Sequence, residues 1–359
     1  MQNLITKTHI RESNLELARI VAMAMIVIGH FVVHGVWNTQ FCTIEKMSQP
    51  LSCMLENLIY SFCVCGVNIF VLISGYFKIK VKVISFLSFW SLCAFYSVIS
   101  AVVNPAGDSS LFINIFKSLF ISNSQWFFAA YLWLYFLSPV INVAINNTSL
   151  PDLRVIVCVL FVLNSTAGWV FHNANVNGYS VLQMVFIYLV GAWVRREPLL
   201  RKLKVNTCLV LSIACSIIIF VFSIIALYVL EGSNWIIYYY NNPLVVFTSV
   251  LIFCYFSKLE ITSRVVNSIA KTVVAAIFIQ DFIASKWIYS SVNNAYNSGG
   301  IYVWQNCLMW FMLIFVAAYM IENIRLFLFR PVIDRSADRI EHFKSLLVDK
   351  IKVISRNFS

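Results

Sequence analysis

The stretch SNLELARIVAMAMIVIGHFVVHGVW, residues 13–37, decides the fold class of this chain. Ser13 and Glu16 form a capping-box pattern, which predicts that a helix begins here. From Ile20 to Trp37 the run is apolar except for two histidines, and about 18 apolar residues suffice to cross a bilayer as a helix. An ionisable side chain inside hydrocarbon is costly unless it faces protein or water. The stretch therefore predicts a membrane-spanning helix that lines a functional site.

Three ionisable residues of this helix share one face. Arg19 and His30 are eleven residues apart, and at about 100° per residue eleven steps make three turns plus about 20°. The rise between them is about 16 Å, which puts Arg19 at the mouth of the span and His30 near the middle of a core about 30 Å thick. His34 lies one turn further along the same stripe. The alternative, a histidine that only bonds a neighbouring helix, stays open for both imidazoles.

The composition excludes a soluble globular protein. Of the 359 residues, 60% are hydrophobic and 11% are charged, and the mean hydropathy is +0.82. A soluble domain carries about 25% charged residues. We therefore predict an all-α integral membrane protein, a polytopic bundle of about ten transmembrane helices. No polar segment is long enough to form a soluble domain, so we expect one transmembrane domain over residues 1–330 and a basic cytoplasmic tail over residues 331–359.

The basic residues are distributed unevenly between the two ends of the predicted spans. If the N-terminus lies inside, only Lys46, Lys117 and Lys286 of the 26 lysines and arginines fall in the outer half. This asymmetry predicts that both termini are cytoplasmic. It also accounts for the net charge of +11 without a nucleic-acid partner, because the positive side faces anionic membrane lipids. The cysteines are scattered through apolar runs, where cysteine behaves as a small hydrophobic residue, so no metal site is predicted.

Polar and turn residues mark the ends of the predicted spans. Ser74 and Gly75, at the end of the second span, predict a close approach of two backbones. Asn68, Asn164 and Gln183 lie inside spans, where amide side chains are typical of interhelical hydrogen bonds. The predicted spans are roughly residues 20–37, 57–77, 83–103, 126–145, 154–171, 179–194, 205–230, 243–257, 267–289 and 301–324.

Imidazole and guanidinium groups at these depths suit a group-transfer reaction. Histidine can take a proton from a hydroxyl or carry an acyl group, and arginine binds phosphate through a planar fork of donors. A phosphorylated cytosolic donor held at Arg19 would reach His30 with an arm about 16 Å long, which fits the pantetheine arm of an acyl-CoA. Asp281 lies in the ninth span, well away from both predicted ends, and needs a partner there. The histidines of the first span and Lys286 are both candidates.

Four segments carry a resemblance to a known family. They are NLELARIVAMAMIVIGHF (residues 14–31), VNIFVLISGYF (67–77), SQWFFAAYLWLYFLSPVIN (124–142) and NSIAKTVVAAIFIQ (267–280). In this order the chain resembles the membrane acyltransferase-3 family, which O-acetylates bacterial surface polysaccharides and related sugars. The resemblance implies ten or so spans, acetyl-CoA as the cytosolic donor and a carbohydrate acceptor at the outer face. It also implies that Arg19 and His30 are the core catalytic pair.

Two positions depart from the family pattern. Many members follow the SGYF-type segment with an Arg-x-x-Arg pair, where this chain has three lysines. Many members also carry a histidine near the end of the fourth motif, where this chain has Gln280 and Asp281.

Other positions agree with the family or suit the donor. Trp126 and Tyr131 match family positions, and basic residues near span ends are assigned to the CoA phosphates. The predicted substrate-binding or donor-binding residues are Lys78, Lys80, Lys82, Trp126, Tyr131, His34, Arg195 and Arg196.

We predict an O-acyltransferase of the bacterial inner (plasma) membrane. It would move an acetyl or larger acyl group from acetyl-CoA, a co-substrate and not a bound cofactor, to a hydroxyl of O-antigen, capsule or exopolysaccharide. His30 would be a general base or a transient acyl carrier, Arg19 would bind donor phosphate or orient the thioester, and Asp281 would assist His30. The rival interpretations are a transporter or flippase of a lipid-linked sugar, and a polysaccharide polymerase. We find neither the inverted repeats of the first nor, in this topology, the outer arginines expected of the second.

Overall fold

The computed structural model describes residues 12–38, 50–104, 126–173, 175–230, 234–299 and 302–357, and within them every regular element is a helix. Several helices end in a π-helical turn. The helices are α1 (Ser13–His30, then a π turn Phe31–Val36), α2 (Pro50–Cys63), α3 (Gly66–Phe77), α4 (Val83–Val103), α5 (Trp126–Asn147), α6 (Leu150–Leu163, then a π turn Asn164–Val170), α7 (Val181–Arg196), α8 (Pro198–Lys202), α9 (Val205–Val229), α10 (Pro243–Ser257), α11 (Arg264–Ala270), α12 (Ala275–Phe278, then a π turn Ile279–Ile283), α13 (Ser285–Asn297) and α14 (Tyr302–Asn357).

These helices form a polytopic membrane bundle, as predicted. In the described part of the chain, nine segments are long and apolar enough to cross a membrane. Helix α7 is shorter, at 16 residues, and is largely buried between its neighbours. The tenth pass, which the sequence assigns to this helix, stays a prediction. The cytoplasmic placement of the termini stays a prediction, and two of the three cations assigned to the outer half, Lys46 and Lys117, lie outside the described residues.

Helix α1 begins where the sequence predicts, but the predicted capping box between Ser13 and Glu16 does not form. Ser13 is already helical, and its hydroxyl accepts a hydrogen bond from the backbone N–H of Ser263 (3.0 Å). Glu16 pairs with Arg19 instead of reaching back to the helix start. The amide of Asn14 donates to the carbonyls of Phe256 (3.1 Å) and Ser257 (3.3 Å) at the end of α10. The first turn of α1 is therefore tied to another helix terminus, where carbonyls lack intrahelical partners.

The predicted close backbone approach at Gly75 is confirmed. A Cβ atom on Gly75 would lie 2.0 Å from the carbonyl oxygen of Tyr188 in α7. In return, a Cβ on Gly191 of α7 would lie 2.4 Å from the carbonyl oxygen of Leu72 in α3. Two glycines thus let α3 and α7 pack backbone to backbone, as small residues do at helix interfaces in membranes.

The three amides predicted to bond between helices do so. Asn164 donates to the Gln183 carbonyl oxygen (3.0 Å), and Gln183 donates to that of Asn68 (3.3 Å). Asn68 and Gln183 both donate to the backbone carbonyl of Tyr240, at 3.0 and 2.8 Å. This network joins α3, α6 and α7 to the segment before α10, and buried polar groups must be paired in this way to be tolerated.

The ninth span differs from the prediction of one helix over residues 267–289. It consists of α11, a turn at residues 271–274, α12 and a π turn that ends at Ile283. The turn contains the run Thr272-Val273-Val274, whose β-branched side chains lower helix propensity. The Thr272 hydroxyl also bonds the Ile269 carbonyl (2.9 Å). Asp281 therefore lies in the last turn of the span, not well away from both ends.

Helix α14 is longer than the predicted tenth span. Its 56 residues would reach about 84 Å, against a membrane core of about 30 Å. Inside the bundle, Arg325 donates two hydrogen bonds to Glu322 (2.8 and 2.7 Å), and the Tyr96 hydroxyl of α4 donates to the same carboxylate (3.3 Å). The helix passes residue 330 without a break, and the division at that residue stays a prediction.

We expect Gly75→Ala to destabilise the bundle by about 2–3 kcal/mol, because its Cβ meets backbone that cannot rotate away. Thermal unfolding of the purified protein in detergent, followed by size-exclusion chromatography, measures the loss. Gly29→Ala is the matched control, since its Cβ would meet the Tyr60 ring at 3.2 Å, a side chain that can shift. Equal melting temperatures for the two variants would contradict the close α3–α7 contact.

Candidate active site

A cavity of about 820 Å³ runs through the middle of the bundle. On α1 its wall extends from Glu16 to His34, a rise of about 27 Å, which is most of the thickness of a membrane core. Its volume is in the range typical of small-molecule sites. The predicted site residues that line it are Arg19, His30, His34, Trp126, Tyr131 and Asp281.

His30 and Asp281 meet inside this cavity. The Nδ1 atom of His30 lies 3.0 Å from Oδ2 and 3.1 Å from Oδ1 of Asp281. The side chains are 25% and 21% exposed, so the pair is accessible from the cavity. This confirms the histidine of the first span as the partner of Asp281. Lys286, the other candidate, is exposed on α13.

Tyr289 completes the cluster and was missed by sequence reasoning. Its hydroxyl donates a hydrogen bond to Oδ1 of Asp281. An ionised carboxylate only accepts hydrogen bonds, so Asp281 favours the imidazole tautomer with the proton on Nδ1 of His30. The Nε2 atom of His30 then carries the lone pair that a general base needs. Tyr289 lies on α13, a helix that the prediction had merged into the ninth span.

Two π turns set this geometry. The α1 helix changes to a π turn directly after His30, and Asp281 lies within the π turn that follows α12. Such turns occur often at functional sites, because they redirect side chains within a helix. The buried amide of Gln280 donates to the Val27 carbonyl (3.0 Å), which joins the two helices next to the pair. On the other side, Ser100 of α4 donates to the Phe282 carbonyl (2.7 Å).

His34 lies beside this cluster. Its ring centroid is 5.1 Å from that of His30, edge to face, and 5.2 Å from that of Tyr289. The three rings and the carboxylate of Asp281 thus form one continuous part of the cavity wall. The predicted stripe of Arg19, His30 and His34 on α1 is confirmed as a set that faces a single cavity.

Basic residues occupy the end of the cavity that Arg19 marks. Arg19 bonds Glu16 (2.5 Å), and its side chain remains 30% exposed. Lys271, in the turn between α11 and α12, lines the same cavity. It was overlooked because a lysine near an inner helix end resembles an ordinary topology signal. The hydroxyls of Ser74 and Tyr131, which also line the cavity, share a hydrogen bond of 3.2 Å.

Aromatic residues occupy the opposite end. Trp126 begins α5, and Tyr179, Trp235 and Tyr240 lie in segments that precede α7 and α10. Successive spans run in opposite directions, so the starts of α5, α7 and α10 lie at the end of the bundle away from the start of α1. Of these four aromatic residues, only Trp126 was singled out from the sequence, as a match to a family position.

Two arginines predicted to bind the donor lie away from the cavity wall. Arg195 donates to the Tyr76 carbonyl (2.9 Å), and Arg196 donates to the Ile145 carbonyl (3.1 Å) and the Thr148 carbonyl (3.0 Å). They therefore satisfy free carbonyls at the ends of α3 and α5, a common role for arginine near helix C-termini.

The three lysines that follow α3 also lie away from the wall. Lys78 donates to the Asn146 side chain (2.5 Å), and partial burial together with Arg196 and Arg195 lowers the pKa of Lys78. Lys80 and Lys82 are exposed. A role for these five basic residues in donor binding stays a prediction. Among the described residues, no group of three or more histidine, cysteine or acidic side chains could hold a metal ion.

Comparison with known protein families identifies the family of the chain. The family model described as Acyltransferase domain (Acyl_transf_3) matches residues 12–333, which include every cavity residue named above. The searches of curated proteins and of solved structures returned no match. Since the family model covers most of the 359 residues, this multi-pass membrane protein belongs to the acyltransferase-3 family.

Proposed function

We propose that the protein transfers an acetyl group from cytosolic acetyl-CoA to a hydroxyl of a cell-surface carbohydrate, such as O-antigen, capsule or exopolysaccharide. We further propose that it works in the inner membrane of a bacterium. The observation that carries the proposal is the His30–Asp281 pair, 3.0 Å apart, inside a cavity whose far end holds Arg19 and Lys271. One cavity thus offers an anion-binding end and a base in its interior.

The basic end suits the phosphates of coenzyme A. A guanidinium group has five N–H donors, and Glu16 engages one of the Arg19 nitrogens, which leaves others for a phosphate. Lys271 adds a second positive charge at this end. The helical rise from Arg19 to His30 is about 16 Å, so a donor held by its phosphates would present its thioester close to His30.

The chemistry assigned to His30 is general base catalysis. Nε2 would take the proton of the acceptor hydroxyl while the hydroxyl oxygen attacks the thioester carbonyl carbon. The carbon–sulfur bond would then break, and the thiolate of coenzyme A would take the proton from Nε2. Asp281 would hold the ring by Nδ1 and stabilise the imidazolium formed between the two steps, as a carboxylate does in a catalytic triad.

The same nitrogen supports a second route. Nε2 could attack the thioester first, hold the acetyl group and release coenzyme A before the acceptor hydroxyl attacks. The routes differ in one measurable respect. Rapid quenching with labelled acetyl-CoA in the absence of acceptor would leave label on the protein only in the second route.

We expect His30→Ala to abolish transfer of labelled acetyl from acetyl-CoA to polysaccharide in membrane vesicles, a loss of about 10⁴-fold. Membrane insertion and protein level should be normal. The matched control is His342→Ala on an exposed face of α14, which should keep full activity. Normal labelling by the His30 variant would overturn the mechanism. Release of coenzyme A by the native protein without any labelled carbohydrate would overturn the acceptor assignment.

Asp281→Asn should lower kcat about 10³-fold or more, because an amide favours the wrong imidazole tautomer. Tyr289→Phe should lower kcat about 10-fold, since it removes one hydrogen bond to the carboxylate. KM for acetyl-CoA should stay within about twofold for both, because neither side chain touches the basic end of the cavity. Tyr228→Phe, on an exposed face of α9, serves as the control. Equal kcat for the native protein and all three variants would contradict the role of Asp281 as a partner of His30.

Lys271→Gln should raise KM for acetyl-CoA about 10-fold and leave KM for the acceptor unchanged, because a charge-assisted hydrogen bond to phosphate is lost. Lys286→Gln, at the opposite end of the bundle, is the matched control. A triple change of Lys78, Lys80 and Lys82 to glutamine tests the donor site predicted from the sequence. A larger effect on donor KM from the triple variant than from Lys271→Gln would move the donor site out of the cavity.

A further inference from the structure

The aromatic end of the cavity is a connected cluster of four rings. The Trp126 and Tyr179 centroids are 4.7 Å apart with their planes 28° from parallel. Tyr240 lies 5.0 Å from Tyr179 and 5.6 Å from Trp126. Trp235 stands at 65° to Tyr179, with centroids 6.3 Å apart. All four rings line the cavity that also contains His30.

These rings differ from the aromatic core beside them. Trp37 and Tyr238 are each 1% exposed, and the Trp37 indole donates to Glu56 (2.8 Å) while the Tyr238 hydroxyl donates to the Asn57 side chain (2.9 Å). The four cavity rings are only partly buried. The packed core has its own buried aromatic residues. The four cavity rings instead expose part of their surface to the cavity, so packing of the core does not explain their position.

The backbone under these rings is held rigidly. The Tyr240 carbonyl accepts from both Asn68 and Gln183, and its backbone N–H donates to the Asn177 carbonyl (3.1 Å). Gly178 has a φ of +77°, and a Cβ there would lie 2.8 Å from the Asn241 nitrogen. The buried amide network therefore clamps the segments that carry Tyr179 and Tyr240. Because these rings are already held in place, a ligand that binds them causes less loss of conformational entropy in the protein.

The charges along the cavity are separated. Its described basic wall residues, Arg19 and Lys271, lie at the opposite end from the four rings. The acidic group on the described wall nearest to the rings is Asp281, next to His30. An anionic acceptor would meet this carboxylate and no described lysine or arginine of the wall at the aromatic end. An uncharged acceptor meets no such repulsion.

We propose that Trp126, Tyr179, Trp235 and Tyr240 form the acceptor subsite and that it takes an uncharged sugar ring. The C–H bonds on one face of a pyranose are weakly positive and match the negative face of an aromatic ring, while the hydroxyls project from the rim. A sugar stacked on these rings presents a rim hydroxyl towards Nε2 of His30. This inference rests on the proposed acetyl transfer and adds the part of the site, and the class of sugar, that receives the group.

The test uses the full chain in membrane vesicles, labelled acetyl-CoA and host polysaccharide that mild alkali has stripped of its O-acetyl groups. Trp126→Leu should raise KM for the polysaccharide about 10-fold without raising KM for acetyl-CoA. Trp126→Phe keeps a ring and should stay within about threefold of the native protein, which separates stacking from folding. Trp133→Leu is the control, because Trp133 lies on the same helix and is 62% exposed on its outer face.

The second arm identifies the labelled sugar after enzymatic depolymerisation of the product. Label on neutral sugars is the expected result, and label on uronic acids, sialic acids or phosphorylated sugars would overturn the uncharged class. An unchanged polysaccharide KM for Trp126→Leu, or a raised acetyl-CoA KM, would overturn the subsite. If the native protein labels no carbohydrate at all, the proposed function fails, an outcome distinct from either of these.

Discussion

The hydrogen bond between Nδ1 of His30 and the carboxylate of Asp281 joins the first and ninth spans inside the bundle. An ionisable group within a membrane is tolerated only when it is paired or faces water. Here the imidazole of His30 donates a hydrogen bond that the carboxylate of Asp281 accepts, so both polar groups are paired. Tyr289 donates a further hydrogen bond to the carboxylate. The arrangement of α1, α12 and α13 around this contact follows from that requirement.

The surrounding fold keeps the contact in place through backbone groups more than through side-chain volume. Gln280 holds the carbonyl of Val27, one turn before His30, and Ser100 holds a carbonyl released at the end of the second π turn. Further along α1, a Cβ on Gly35 would lie 2.6 Å from a methyl group of Val292. This close fit brings α13, with Tyr289, against the π turn of α1. Local departures from ideal helix geometry and a glycine contact thus together build the reactive centre.

The two ends of the cavity are lined by different kinds of side chain. Positive side chains lie at one end, aromatic rings lie at the other, and the imidazole of His30 lies between them. In the proposed reaction, an anionic donor and a hydroxyl-bearing acceptor would approach the same nitrogen from opposite directions. A membrane acyltransferase of this kind would not need a moving carrier domain, because the cavity itself extends across most of the membrane core.

The amino-acid sequence alone determined the fold class and the placement of Arg19 and His30 on one helix face. These follow from helical periodicity and hydrophobicity, which are patterns within a single span. It also indicated the Gly75 contact and the interhelical amides, since small and amide residues inside apolar spans have few other uses.

Only the tertiary structure decided the partner of Asp281. The choice between His30 and Lys286 depended on a break in the ninth span that hydrophobicity does not record, and on two π turns that alter which side chains meet. It also brought Lys271 and three aromatic residues, distant from α1 along the chain, into the cavity. Such groupings depend on how helices pack against one another, and contacts between distant segments leave no periodic trace in a single sequence.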